Sequence, residues 1–167
     1  MESLKERLLA LTATRYKRMP FLMENVGKMA AAGDDPVSLL IRCHLITESL
    51  IDELIELAFH PNGQAITSSR LSYEKKLTIC SKAKLHGEYP ILQDFAVGSL
   101  RKLNSLRNKM AHRIDATASL DEVMDLFAGE DLPLAVGEIT EINIAIYHYT
   151  AYIFGNLLPK WEFEGEV

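Results

Sequence analysis

Arg107, Asn108 and His112 are the residues in this sequence whose types and spacing best suit phosphodiester chemistry. They lie in the run Arg107-Asn108-Lys109-Met110-Ala111-His112, the only place where one of the eight Arg is followed by one of the five His at a spacing of five to seven. A guanidinium is a planar, permanently charged fork that matches a phosphate. An imidazole titrates near neutral pH, and a cation beside it favours its uncharged, basic form. His112 would then take the proton from a ribose 2′-hydroxyl while Arg107 holds the scissile phosphate and its developing charge. Asn108 would hydrogen-bond either the phosphate or the imidazole. Such cleavage needs no metal or other cofactor and leaves a 2′,3′-cyclic phosphate, and DNA, lacking the hydroxyl, is expected to be inert. On a regular helix, positions five apart differ by about 140°, so Arg107 and His112 do not project in parallel, whereas Asn108 and His112, four apart, share a face.

The elements that must carry these residues are helical nearly throughout. Ser3 with Glu6 forms a capping-box signature for a helix to about Arg18, and an apolar stretch from Phe21 to Ala32 follows. Asp35 as N-cap and Pro36 at the first helical position predict a long helix to about Phe59, stopped by His60-Pro61-Asn62-Gly63. A fourth helix is expected from Ser68 or Ser69 to about Leu85, and the Gly87 to Pro90 stretch separates it from a fifth over roughly Ile91 to His112. Leu92, Phe95, Ala96, Leu103, Leu106 and Met110 mark the buried stripe of that fifth helix. The acidic stretch from Asp115 to Gly137 holds one short helix around Leu120 to Phe127. A closing helix over about Glu138 to Leu158 offers Ile142, Ala145, Tyr149, Tyr152 and Ile153 as its buried face. The expected fold is all-α: one domain of 167 residues, an antiparallel bundle of four main helices within 36–158, with an N-terminal helical extension (1–35) and a tail (159–167).

Composition narrows the function classes. The net charge is −5, yet Ser68 to Arg113 holds ten Lys or Arg against three acids, and the rest of the chain holds eight against twenty. The basic segment is fit to meet a polyanion, or is a solvated face. No stretch of 18 apolar residues exists and the N-terminus lacks a signal-peptide pattern, so a cytoplasmic protein with no membrane partner is expected. Cys43 and Cys80 read as reduced core residues, and His44, His60, His86 and His148 share no spacing that would gather a metal. Tyr147, Tyr149, Tyr152, Phe154 and Trp161 read as core or dimer interface.

The run RNKMAH at 107–112 resembles the Arg-x4-6-His signature of the HEPN superfamily, including its form with Asn directly after the Arg. The likeness extends to the layout: a long helix containing Thr47-Glu48-Ser49-Leu50-Ile51, a second helix after a loop, the motif helix and a closing helix. The resemblance implies a homodimer formed through the motif helices, with one composite site built from two chains. It implies catalytic roles for Arg107, Asn108 and His112 in a metal-independent endoribonuclease of the toxin or phage-defence kind, with a cognate antitoxin or regulatory protein as partner. Lys109, Arg113, Lys102 and Arg101 are the candidate RNA-binding residues.

Ile41, Leu45, Glu48, Asp52 and Ile55 form a seam on the long helix, which places two carboxylates where apolar residues are expected. In HEPN-like proteins an acidic residue on this helix often approaches the motif Arg, and Glu48 is the match here. Otherwise Glu48 lies at the rim and pairs with a surface lysine. Ile114 stands where the nucleotide-modified subgroup carries a Tyr. The alternative readings are a non-catalytic adaptor or regulator similar to the mannitol-operon repressor group, and a helical scaffold whose Arg107 and His112 pin the dimer.

Overall fold

The computed structural model describes residues 24, 28, 35–85, 89–112, 115–127 and 139–157. It is mostly helical, and the expected all-α class is observed. The helix expected over 3–18 lies outside the described residues. Within 21–32 only Glu24 and Lys28 are described, helical and paired at 2.6 Å.

Helix α1 (Pro36–Ala58) begins where the local chemistry dictates. The Asp35 carboxylate accepts from the Val37 and Ser38 amides at 3.0 and 3.2 Å, satisfying two of the donors that every helix start leaves unpaired. Its bonds from Ser38 hold the Asp35 carboxyl below the usual carboxylate range. The buried arc of α1 is Leu39, Leu40, Cys43, His44, Thr47, Leu50, Ile51, Leu54 and Ile55. The expected seam through Ile41 and Leu45 is therefore displaced. Leu45 is 55 % exposed, and Glu48 and Asp52 are only partly buried. Two apolar stripes compete on this helix, and the one richer in Leu and Ile takes the core.

The turn after α1 leads into a short helix absent from the sequence reading, α2 (Gly63–Thr67). Gly63 is buried, and a Cβ there would overlap the Glu56 backbone, so only glycine lets α2 press against the last turns of α1. Thr67 adds a 2.7 Å hydrogen bond to the Glu56 carboxylate. Ser68 and Ser69, expected to open the next helix, instead close α2 by donating to the carbonyls of Ala65 and Ile66. Arg70, at φ 54°, then turns the chain, and Ser72 is the N-cap of α3 (Tyr73–Lys82).

A two-residue antiparallel ladder follows, with β1 (Lys84–Leu85) paired to β2 (Tyr89–Pro90). The Ile91 amide bonds to the Ala83 carbonyl, which holds Ile91 out of the helix. The motif helix α4 (Asp94–His112) thus starts three residues later than expected. Helix α5 (Leu120–Met124) carries a complete capping box between Ser119 and Glu122, and α6 (Ile142–Leu157) closes the described chain.

α1 is the central post: it packs against α2, α3, α4 and α6, while α3 packs on α4, and α6 on both α4 and α5. Each large apolar side chain in this core, such as Leu40, Ile51, Leu77, Leu100 or Leu103, adds roughly 1.5–3 kcal/mol by leaving water. Cys43 and Cys80 are free and buried as expected, and burial pushes each thiol up to about 12. Among the described residues no helix is long and apolar enough to cross a membrane.

Candidate functional site

The motif occupies the C-terminal half of α4, where Leu103, Leu106 and Met110 fix the helix against the core. Arg107 sits beside that apolar arc and is half-buried. Its Nη1 donates to Asn108 Oδ1 at 3.1 Å, so the neighbouring amide orients the guanidinium, and its remaining N–H donors meet no other side chain among the described residues. His112 is exposed at the last residue of the helix and makes no hydrogen bond to another described residue. Along a regular helix Arg107 and His112 stand about 7.5 Å apart in height and about 140° apart around the axis. One protomer therefore presents the two groups on different sides of α4.

Beneath Arg107 lies a polar centre that the sequence reading passed over. His44, only 4 % exposed, reaches across from α1 to Asn104 of α4, with Nε2 3.1 Å from the amide Oδ1. Its ring rests on Tyr73 at 4.2 Å between centroids. The Tyr73 hydroxyl in turn pairs with Thr47 at 2.9 Å, and Thr47 also donates to the His44 carbonyl. With a carbonyl oxygen facing Nε2, that nitrogen carries the hydrogen. Nδ1 is then a buried acceptor with no partner among the described residues.

Burial is the main reason the His44 imidazole stays neutral; the Asn104 bond and Glu48 oppose it, and the charges of Arg107 and Lys76 reinforce it. The consequence for stability has a definite sign. A histidine whose folded pKa lies below its unfolded value of 6.5 costs nothing while both states are neutral, and stability falls as pH drops through 6.5 and the unfolded chain alone takes the proton. Thermal melts from neutral pH to about 5 are expected to show that fall, and His44→Gln to flatten it. An unchanged slope in the variant would refute the assignment.

Glu48 does not contact Arg107. Its carboxylate receives Lys76 Nζ at 2.9 Å, and Asp52 receives the same ammonium at 2.8 Å. Lys76 is 6 % exposed, so the partner of Glu48 is a buried lysine and not the surface one that the rim reading supposed. Glu48 and Arg107 meet only through their opposed effects on His44. Asp52 Oδ1 is another buried acceptor without a partner among the described residues. Among the described residues no group of His, Cys, Asp or Glu is gathered for a metal ion.

Three of the four candidate RNA-binding cations lie on the other flank of α4, each engaged. Arg101 pairs with Glu74 at 2.8 Å, Lys102 with Asp125 at 2.8 Å and Lys109 with Glu122 at 2.5 Å. Arg113 lies outside the described residues. Acids from outside the basic segment, Asp125 and Glu122, thus answer two of these cations, and Glu74 from within it answers the third. Of the four Lys and Arg on α4, Arg107 alone has no carboxylate partner among the described residues.

Neither a family model, nor a curated protein, nor a solved structure matches this chain.

The residues missed in the sequence are His44, Tyr73, Lys76 and Asn104. His44 lies on the same arc as Leu40, Thr47 and Ile51, and Lys76 lies between Tyr73, Leu77 and Cys80, so both interrupt apolar stripes. Those interruptions are visible in the sequence, but their partners, 60 and 28 or 24 residues away, are not.

Proposed function

We propose that this chain is a HEPN-like, metal-independent endoribonuclease of the toxin or phage-defence kind. Its site would be centred on Arg107, Asn108 and His112 and completed by a second copy of the chain. The observation that carries the reading is that the charge of Arg107 has no carboxylate partner among the described residues. Lys102, Arg101 and Lys109 on the same helix are tied to carboxylates, while the Arg107 guanidinium, aimed by Asn108, has further N–H donors that no other described residue takes up and that suit a phosphate.

In this reading neutral His112 removes the 2′-hydroxyl proton, and the 2′-oxygen bonds to phosphorus as the bond to the 5′-oxygen breaks. That leaving oxygen takes a proton from His112 of the partner subunit, which acts as the protonated imidazolium and ends neutral, and Arg107 stabilises the charge that builds on the phosphate. The separation of Arg107 and His112 around one helix supports a composite site, since a two-fold axis beside α4 lets one copy's arginine face the other copy's imidazole.

The direct test is purified protein with single-stranded RNA and with DNA of the same sequence, in excess chelator. RNA fragments ending in 2′,3′-cyclic phosphate with DNA intact are expected; uncut RNA under a correctly folded protein would overturn the proposal. The adaptor reading is favoured by one observation, the 55 % exposure of Leu45 one turn after the partly buried Ile41, since adjoining apolar side chains left at the surface suit a protein contact. It requires RNA to survive that assay.

A further inference from the structure

The cleavage chemistry leaves one feature of α4 unused. Between α4 and α5 runs an open groove of about 380 Å³, whose polar walls are Arg101, Lys102, Ser105, Lys109, Glu122 and Asp125. Lys102 and Lys109, two turns apart, share one meridian of α4, about 140–160° round the axis from Arg107 and roughly 10 Å apart in height. The Ser105 hydroxyl lies between them, and Arg101 stands one turn before it. Two ammonium groups with a hydroxyl donor between them form a row suited to successive phosphates of one strand. An arginine at its end adds a planar face on which a base can stack.

In the free protein this row is occupied from within. Glu122 takes Lys109, and Asp125 takes Lys102 through its carboxylate while its carbonyl accepts from the same ammonium at 2.9 Å. Lys109 also draws the Glu122 carboxyl below its usual range, so the acid is charged at any physiological pH. All four side chains are more than a third exposed, and ion pairs so exposed hold weakly and exchange partners at little cost. A polyanion that meets several cations at once also gains from released counterions, which single carboxylates do not offer.

We propose that the α4–α5 groove is a phosphate track for single-stranded RNA, held in the free protein by Glu122 and Asp125 acting as internal phosphate mimics that an incoming strand displaces. This rests on the RNA reading above but concerns binding rather than cleavage. The +7 segment and the −12 remainder of the chain then have a joint purpose: acids from one neutralise cations from the other until a stronger polyanion arrives.

The probe is a short fluorescent single-stranded RNA with methylated 2′-hydroxyls, which 2′-oxygen attack cannot cut, bound to the full chain and followed by anisotropy across a salt series. Glu122→Gln with Asp125→Asn is expected to tighten binding about fivefold to tenfold and to steepen the log–log salt slope by roughly 0.7 for each phosphate gained. Lys102→Ala with Lys109→Ala is expected to weaken binding at least about tenfold and flatten the slope. Glutamine at 122 keeps the capping box with Ser119, and a melting curve checks that each variant is folded. Unchanged or weaker binding by the folded Gln/Asn variant overturns the track, as does tighter binding of an acidic peptide than of RNA. Cleavage that persists while these substitutions leave binding untouched removes the groove alone. Binding that responds as expected without any cleavage of unmethylated RNA removes the nuclease reading alone.

Discussion

Arg107→Lys is expected to lower RNA cleavage by roughly two to three orders of magnitude, nearly as far as the factor of about 10²–10⁴ expected for His112→Ala. Lysine keeps the charge, so a loss this large would separate geometry from electrostatics. The Arg107 guanidinium spends one N–H on Asn108 Oδ1 and still presents others in a fixed plane, whereas an ammonium has no fork to share between an amide and a phosphate. Single-turnover cleavage of one RNA by equal amounts of folded protein is the measurement, with melting temperature as the control. Neither substitution removes core packing: Arg107 is only half-buried and His112 is exposed. Cleavage by the lysine variant at the wild-type rate would show that Arg107 does not hold the reacting phosphate in a forked grip.

The largest effect on stability is expected at Lys76. Removing one member of a buried ion-pair group leaves the others charged and uncompensated, at a cost of about 3–5 kcal/mol. Lys76→Ala leaves Glu48 and Asp52 as like charges one turn apart on α1, each facing the gap left by the ammonium. For a chain of this size the loss corresponds to roughly a 10 °C fall in melting temperature. Replacing all three charges, with Lys76→Met, Glu48→Gln and Asp52→Asn together, is expected to recover most of it, because a neutral amide carries a much smaller desolvation penalty than an unpaired charge.

The pH dependence has a clear sign. Burial opposes the Lys76 charge, but hydrogen bonds to Asp52 and Glu48 outweigh it and raise the pKa above 10.5. The ammonium's contribution is fully present below 10.5 and is lost only as pH rises through the folded value. The difference between wild type and Lys76→Ala should therefore be undiminished at neutral pH. A variant melting within about 2 °C of wild type there would show that the three charges do not act as a unit.

Which parts of this arrangement the sequence discloses follows from how far apart the partners lie. The start of α1 was legible because Asp35, Pro36 and Ser38 complete their cap within four residues. The short helix expected around Leu120 to Phe127 is observed as α5, although the capping box of Ser119 and Glu122 that starts it went unread. The start of α3 was not legible, because Ser68, Ser69 and Ser72 are all competent caps, and the choice among them was made by Arg70 entering the left-handed region. On α1 the apolar pattern was real but its phase was ambiguous, so the Leu45 stripe was placed inward when the core took the Leu40 and Ile51 arc. The motif residues and their angular separation are properties of one helix and could be read directly. The ties that surround them, His44 to Asn104 and Lys76 to Glu48 and Asp52, are set by tertiary packing across dozens of residues.

The Ser99 hydroxyl, buried on α4, donates to the Leu126 carbonyl at 2.6 Å and pairs with the Tyr149 hydroxyl at 2.8 Å. That bond fastens the backbone just behind α5 to the interior, and Val123, Leu126 and Phe127 are sunk beside it. The Asp125 carboxylate is thus an exposed arm on an anchored stretch of backbone, and Glu122, held at its other oxygen by the Ser119 cap, has only its Lys109 bond to give up. Whatever competes for the lysines opposite meets side chains that reorient within nanoseconds rather than a segment that must unfold. Selectivity at that edge of the molecule is then decided by valence and salt, with no slow structural step between encounter and capture.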